Sequence, residues 1–243
     1  MKIVKAEDMM AEDNFQAVVY GLAGCGKTDL VRYLPRPLLL FDFDGKAHPL
    51  MGQKDIDIVS YRMDNAEQAK AMLPEFWRDV NTLRKEGKYA TYVVDSITAL
   101  NRMVMRWAMA MSGKPADDKG TLPVYGDVKR WYSTFFPALI GMDANIVLLA
   151  HEQSKEDKGV LLQIQPLITG SMAAELPSIF PHTFHLEYMP GTDERWRLHY
   201  RKHKKYISSS SVFSEGVGYV EYKRDENVYD KLMAVIKEQK KVN

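Results

Sequence analysis

The stretch YGLAGCGKTDL, Tyr20 to Leu30, decides how the rest of the chain reads. It holds three glycines, the only cysteine, and a lysine followed by a threonine. Ahead of it FQAVVY (Phe15 to Tyr20) is a short apolar run that reads as a buried strand. Behind it a helix is predicted to about Tyr33, ended by Pro35 and Pro37. A bare loop therefore joins the end of a buried strand to a helix start.

Gly21, Gly26, Lys27 and Thr28 fit G-x-x-x-x-G-K-[ST], the Walker A loop of P-loop nucleotidases. The candidate nucleotide-binding residues are Gly21, Leu22, Ala23, Gly24, Cys25, Gly26, Lys27, Thr28 and Asp29. Glycine lets the backbone approach a phosphate chain without a Cβ clash. Successive N–H groups form an anion-binding nest at a helix start. Lys27 is the candidate for the β- and γ-phosphates, and the Thr28 hydroxyl for Mg²⁺. The expected cofactors are thus ATP and Mg²⁺. Cys25 reads as a small filler rather than a nucleophile.

A Walker A loop needs a carboxylate to hold the magnesium shell. TYVVDS ends a strand-forming run at Asp95, which is the candidate Walker B residue. The alternative is an aspartate that caps the next helix, and both can hold together. Ser96 follows where many ATPases carry glutamate, so the acid acting on water must come from elsewhere. LLLFDFDG offers Asp44 first and Asp42 second; if the strand continues through both, they share one face. The competing reading of DFDG is a turn or a cap. NIVLLAHEQSKED ends in polar residues where RecA-like ATPases, which this pattern resembles, carry a γ-phosphate sensor; the resemblance makes His151 the candidate, with Gln153 behind it and a helix cap or satisfied histidine as the alternative. Lys155 stands where a second zinc histidine would be. His182, His185 and Glu187 could be metal ligands, but a strand context without cysteines favours a structural role.

Further strands are expected at Pro37 to Asp44, Asp55 to Met63, Tyr89 to Ser96 and Asn145 to His151. Asp64 with Glu67 suggests a capping box that opens a helix carrying Leu73, Phe76, Val80 and Leu83. The methionine-rich NRMVMRWAMAM reads as a core helix, and another ends near Ile140. Ser112 to Pro123 reads as a polar loop, and Lys155 to Leu162 as a second. Beyond Gly170 come short alternating strands and a final amphipathic helix. The fold class is α/β with a mostly parallel central sheet flanked by helices and a β-rich C-terminal extension, and the resemblance to RecA-like ATPases implies a RecA-like P-loop core. The expected division is 1–14 as an N-terminal extension, 15–189 as the core, and 190–243 as the extension and terminal helix of the same domain.

Of 243 residues, 46% are hydrophobic, and the formal net charge is +1, so any nucleic-acid site must be a local patch. One cysteine makes no internal disulfide, and the opening residues hold no signal-like apolar run; a cytoplasmic setting is expected. No run is long enough for a membrane span, so no membrane partner is expected.

GLAGCGKT, LLLFDFDG, TYVVDSITAL, NIVLLAHEQSKED, PLITGSMAAELPSIF and the basic YRKHKKY follow one another from Phe15 to Tyr206. In this order and length the chain resembles the small phage-encoded RecA-like ATPases, AAA-domain nucleotide-binding proteins that include single-strand-annealing recombinases. The family's acid pattern is Asp-x-Glu; here Asp42-Phe43-Asp44 is one methylene shorter, which points to slow hydrolysis. The resemblance implies ATP and ADP as ligands and a homo-oligomeric ring or filament. It also implies single-stranded DNA and phage single-strand-binding or recombination proteins as partners, in the cytoplasm of an infected host. Lys204 and Lys205 are candidates for a finger acting in trans on a neighbour's ATP, for DNA contact, or for a solvated strand face. The second functional reading is a nucleotide-dependent assembly switch with little hydrolysis. A small-molecule kinase is disfavoured, because Ser112 to Pro123 has no arginine for a phosphate lid. A ParA-type partition ATPase is disfavoured because Leu22 follows Gly21 where such loops carry lysine.

Overall fold

The computed structural model describes residues 14–115, 120–169, 171–211 and 217–240. The expected N-terminal extension, apart from Asn14, and part of the loop from Ser112 to Pro123 lie outside the described residues.

Six strands are parallel. They are β1 (Gln16–Gly21), β2 (Leu38–Asp42), β3 (Ile56–Ser60), β4 (Thr91–Asp95), β5 (Asn145–Asp157) and β7 (His182–Met189), in the order β7-β1-β5-β4-β2-β3. β1, β2 and β4 are buried on both faces, which is why they read as unbroken apolar runs rather than alternating ones. β6 (Val160–Pro166) turns back on β5 as a hairpin. β8 (Arg195–His199) and β10 (Tyr219–Tyr222) continue the same sheet antiparallel beyond β7, and the short β9 (Ser209–Ser210) pairs with the start of β7. The residues after 190 thus add hydrogen-bonded strands to the core sheet.

Helices cover both faces. α2 (Ala69–Glu86), α3 (Ile97–Met111), α4 (Leu122–Ile140) and α5 (Met172–Ile179) pack on one side around Phe76, Leu100, Met103, Phe135, Phe136 and Phe180. α1 (Lys27–Leu30) and α6 (Val228–Lys240) cover the other, with Val31, Leu198, Val228 and Leu232. Each such side chain contributes about 1.5–3 kcal/mol on full burial. Of the methionines of α3, Met103 and Met109 are core, whereas Met111 is exposed.

Four local expectations change. The predicted helix to Tyr33 is one α-turn followed by a 3₁₀ turn at Val31–Tyr33. The capping box is Asn65 with Gln68, one residue later than the Asp64–Glu67 reading: Asn65 Oδ1 accepts from the Gln68 N–H. The expected loop from Lys155 to Leu162 is mostly hairpin strand, closed at Lys158 (φ 49°) and Gly159 (φ 79°). Two successive positive φ values are what a type I′ turn needs to match the twist of its strands. The basic run Tyr200 to Tyr206 is a turn with isolated bridges rather than a strand. It ties onto β6, where the Ile164 N–H donates to the Lys205 carbonyl at 2.8 Å.

Candidate functional site

All six parallel strands end on the same edge of the sheet, and the conserved chemistry of open α/β sheets lies outside such ends. β1 runs into the glycine loop. Gly24 and Gly26 take φ values of 79° and 94°, so neither tolerates a side chain without strain. A Cβ at Gly21 would lie 2.5 Å from the Leu186 carbonyl of β7, and one at Gly26 would lie 2.9 Å from the Trp196 ring nitrogen of β8. The loop is thus held from behind: the Trp196 indole N–H donates to the Cys25 carbonyl at 2.9 Å. The sequence carries no signal for that contact, since 171 positions separate the partners.

Lys27 is buried and folded onto its own loop, with Nζ donating to the carbonyls of Gly21 (2.9 Å) and Leu22 (2.6 Å). Leu22, Ala23 and Gly24 are exposed at the loop's rim. Cys25 is buried, and burial pushes its thiol pKa up, in line with a filler role. Asp29 is engaged by Arg32 one turn on.

Thr28 and Asp95 meet. The Thr28 hydroxyl donates to Asp95 Oδ2 at 2.6 Å, across 67 positions of sequence. Asp95 sits opposite Asp42 in the β2–β4 register and is buried. Burial pushes its carboxyl up to about 6; the Thr28 hydrogen bond and Lys27 oppose the rise, and Asp44 and Asp42 add to it. The next helix is capped by Ser96, whose Oγ accepts from the Ala99 N–H at 3.2 Å, so the capping role falls to Ser96 rather than to Asp95.

The two other acids separate. β2 ends at Asp42, so Asp42 and Asp44 do not share a strand face. Asp42 Oδ1 accepts from the N–H of Gly45 (2.7 Å) and of Lys46 (3.3 Å): the turn reading of DFDG belongs to Asp42. Asp44 is a hub. Its Oδ2 accepts from the Ser96 hydroxyl at 2.7 Å and faces His151 Nε2 at 3.5 Å, and its Oδ1 faces Arg102 at 3.6 Å. Burial works against its charge, but His151, Ser96 and Arg102 together hold its carboxyl below the usual range. His151 ends the buried part of β5 and pairs in register with Gly21. Gln153 instead donates to the carbonyls of Pro166 and Ile168, bracing the hairpin. Arg102 was not legible in sequence as a site residue; its position two turns after Ser96 on α3 turns it toward Asp44, and with Arg62 and Arg106 it lines a cavity of about 180 Å³.

These positions fit a magnesium nucleotide: a glycine cradle that a Cβ would fill, a lysine beside it, and two oxygen ligands in contact. A family model described as an AAA domain, AAA_24, matches residues 13–212. The chain belongs to this AAA domain family. It is thereby a P-loop ATPase by family. No curated protein matches the sequence. Among solved structures the chain is similar to the RadB recombinase, at 12% identity over 78% of this chain and 81% of that one, with a TM-score of 0.48. It is also similar to an ATPase from the type III secretion system of pathogenic bacteria, at 16% identity over 72% and 52%, with a TM-score of 0.47. A third is flagellar accessory protein FlaH from Methanocaldococcus jannaschii, at 9% identity over 86% and 89%, with a TM-score of 0.41.

On the other flank, Lys204 is exposed and faces Glu187 at 3.9 Å, and Lys205 is exposed beside it. Glu187 helps line a cavity of about 260 Å³ shared with Leu22 to Cys25 of the glycine loop. His182 and His185 lie three residues apart on β7 and do not come together. His182 Nδ1 pairs with the Ser210 hydroxyl at 2.9 Å and stacks on Phe15, and burial holds its pKa down to about 4. No helix among the described residues is long and apolar enough to cross a membrane.

Proposed function

We propose that the chain binds ATP with Mg²⁺ at the loop from Gly21 to Asp29 and hydrolyses it slowly. The observation that carries this reading is the 2.6 Å contact between Thr28 and Asp95 beside the Asp44 hub. Mg²⁺, when bound, would neutralise charge that develops on the phosphates. Thr28 and Asp95 supply the protein side of its shell. Lys27, now on the Gly21 and Leu22 carbonyls, would hold the phosphates. Asp44 orients the attacking water: its depressed pKa keeps it an ionised acceptor but a weak proton base, so positioning is its stronger contribution. His151 touches both Asp44 and the base of the β5–β6 hairpin, which suits a sensor that reports the γ-phosphate to that hairpin.

The biological reading is recombination or single-strand annealing by self-assembly on single-stranded DNA. The turn bearing Lys204 and Lys205 is joined to the β5–β6 hairpin through Ile164 of β6, so both would move as one surface toward DNA or a neighbouring subunit. The tip carries Lys155, Glu156, Asp157 and Lys158, a balanced set, so DNA contact would rest on many weak contacts summed along an assembly. The weak basicity of Asp44 favours a second reading, an assembly switch that binds ATP and hardly turns it over.

Phosphate release with and without single-stranded DNA separates the two, measured beside Lys27→Ala and Asp44→Ala. Stimulation by DNA, lost in both variants, supports the recombination reading. Tight ATP binding, turnover no faster than that of Asp44→Ala, and indifference to DNA support the switch.

A further inference from the structure

Three histidines from separate segments converge behind the glycine loop. In the β1–β7–β8–β10 register, Tyr20, His185, His199 and Tyr219 form one row across the sheet. Side chains in one row lie on one face. His203, from the turn after β8, folds over that row with its ring 3.5 Å from the His199 ring. One ring nitrogen from each of His185, His199 and His203 lies within 4.8 Å of the other two.

The hydrogen bonding is lopsided. His199 Nε2 meets Glu187 Oε2 at 2.9 Å, and His185 Nε2 faces Glu152 Oε2 at 3.4 Å. A carboxylate on one ring nitrogen fixes the tautomer and leaves the other nitrogen as a lone-pair donor, the arrangement found behind metal-bound histidines. Among the described residues, His185 Nδ1 and both ring nitrogens of His203 are buried without a hydrogen-bond partner. Buried polar atoms are rarely left so, because each loses its hydration with nothing in return.

We propose that His185, His199 and His203 form a binding site for a first-row divalent metal of the zinc class, separate from the magnesium of the nucleotide site. Imidazole nitrogen suits Zn²⁺, Cu²⁺ and Ni²⁺, whereas Mg²⁺ takes oxygen. With Zn–N bonds of about 2.0–2.1 Å, nitrogens around a tetrahedral ion lie about 3.4 Å apart. The set therefore closes by an ångström or so, and His203 leaves its stack on His199 as it does. His203 is the member free to turn, since it sits in a turn rather than a strand ladder. Glu187 and Glu152 act as the outer carboxylates. The bound metal would tie β7, β8 and the Lys204–Lys205 turn together, on the wall of the cavity shared with Leu22 to Cys25.

The test uses full-length protein without a polyhistidine tag, stripped with chelator and desalted. Co²⁺ is titrated in and followed by its visible absorption, then displaced by Zn²⁺, with metal content measured by mass spectrometry. The expected result is one equivalent of Co²⁺ with the intense bands of a low-coordinate nitrogen site, displaced by one equivalent of Zn²⁺. His203→Gln abolishes the saturable signal, and Glu187→Gln weakens affinity by about 10-fold or more. His48→Gln, at an exposed histidine outside the cluster, leaves the titration unchanged. Absence of a saturable Co²⁺ spectrum in wild type overturns the proposal whatever the variants do. So does an unchanged titration in a His203→Gln protein that is folded by circular dichroism.

Discussion

The two flanks of β1 handle buried polarity in opposite ways. On the β5–β4–β2 side, each acid of the site has a partner: Asp42 the turn N–H groups, Asp95 the Thr28 hydroxyl, and Asp44 the Ser96 hydroxyl. On the β7–β8 side, among the described residues, ring nitrogens of His185 and His203 are buried without a hydrogen-bond partner, and Glu152 Oε2 has only the 3.4 Å approach of His185 Nε2. The first flank is pre-organised, so a ligand there finds charges and dipoles already aimed. The second holds unspent donor capacity, which a ligand would have to complete. The two meet at the glycine loop, which takes its lysine and threonine to one side and the indole of Trp196 from the other.

The comparison breaks most readily at Lys27. Lys27→Ala should lower ATP turnover by about 100-fold or more, since it removes the cation folded onto the glycine loop. Phosphate release checks this; turnover near wild type would mean that the pre-organised flank is not the catalytic one. Asp44→Asn should lower kcat by about 100-fold while leaving nucleotide affinity within a few-fold, as a water-positioning residue requires. Equal losses in binding and turnover would make Asp44 a structural hub only.

Asp95 sharpens the contrast through pH. Its carboxyl titrates near 3.9 in an unfolded chain and near 6 here, so folding takes up a proton between those values. Stability without nucleotide therefore falls as pH rises from about 4 to about 6. At neutral pH the ionised form costs up to about 3 kcal/mol, at 1.36 kcal/mol per pH unit. Asp95→Asn should remove this slope and raise the melting temperature at pH 7 without nucleotide, while losing the extra stabilisation by magnesium nucleotide. Calorimetry across that pH range checks both. The smallest effect is expected at Trp196→Phe, which keeps an aromatic but smaller ring and loses the bond to the Cys25 carbonyl. About 1 kcal/mol is at stake, a fall of about 2–4 °C in melting temperature. No change would mean that the second flank does not brace the loop.

Much of the first flank was legible in the sequence because its ligands are local. Gly21 to Thr28 are contiguous, and Asp95 and His151 each close an apolar run that only a buried strand explains. The division of labour between Asp42 and Asp44 was not legible. It depends on where β2 stops, which the Asp42 contacts to Gly45 and Lys46 decide and strand periodicity does not. Arg102 escaped notice because a cation on a helix is ordinarily a solvated one. The histidine cluster is not legible along the chain because His185 reads locally with His182 and Glu187, whereas its partners are fourteen and eighteen residues on. The spacing of His199 and His203, four apart within a basic run, was the one available hint.

By itself the sequence determined the α/β class, the order of the parallel strands' signals, and the glycine loop between the first strand and its helix. Those depend on local torsions and on hydrophobic runs, which neighbouring residues set. Only the tertiary structure decided that the C-terminal strands extend the core sheet, that Trp196 backs the loop, that Asp44 and not Asp42 faces His151, and that three histidines share one corner. The added strands, Trp196 and the His185–His199 pair are set by register between strands far apart in the chain, whereas Asp44 and His203 are placed by the turns that follow β2 and β8. Register is set by the burial of whole faces at once, which no single segment records.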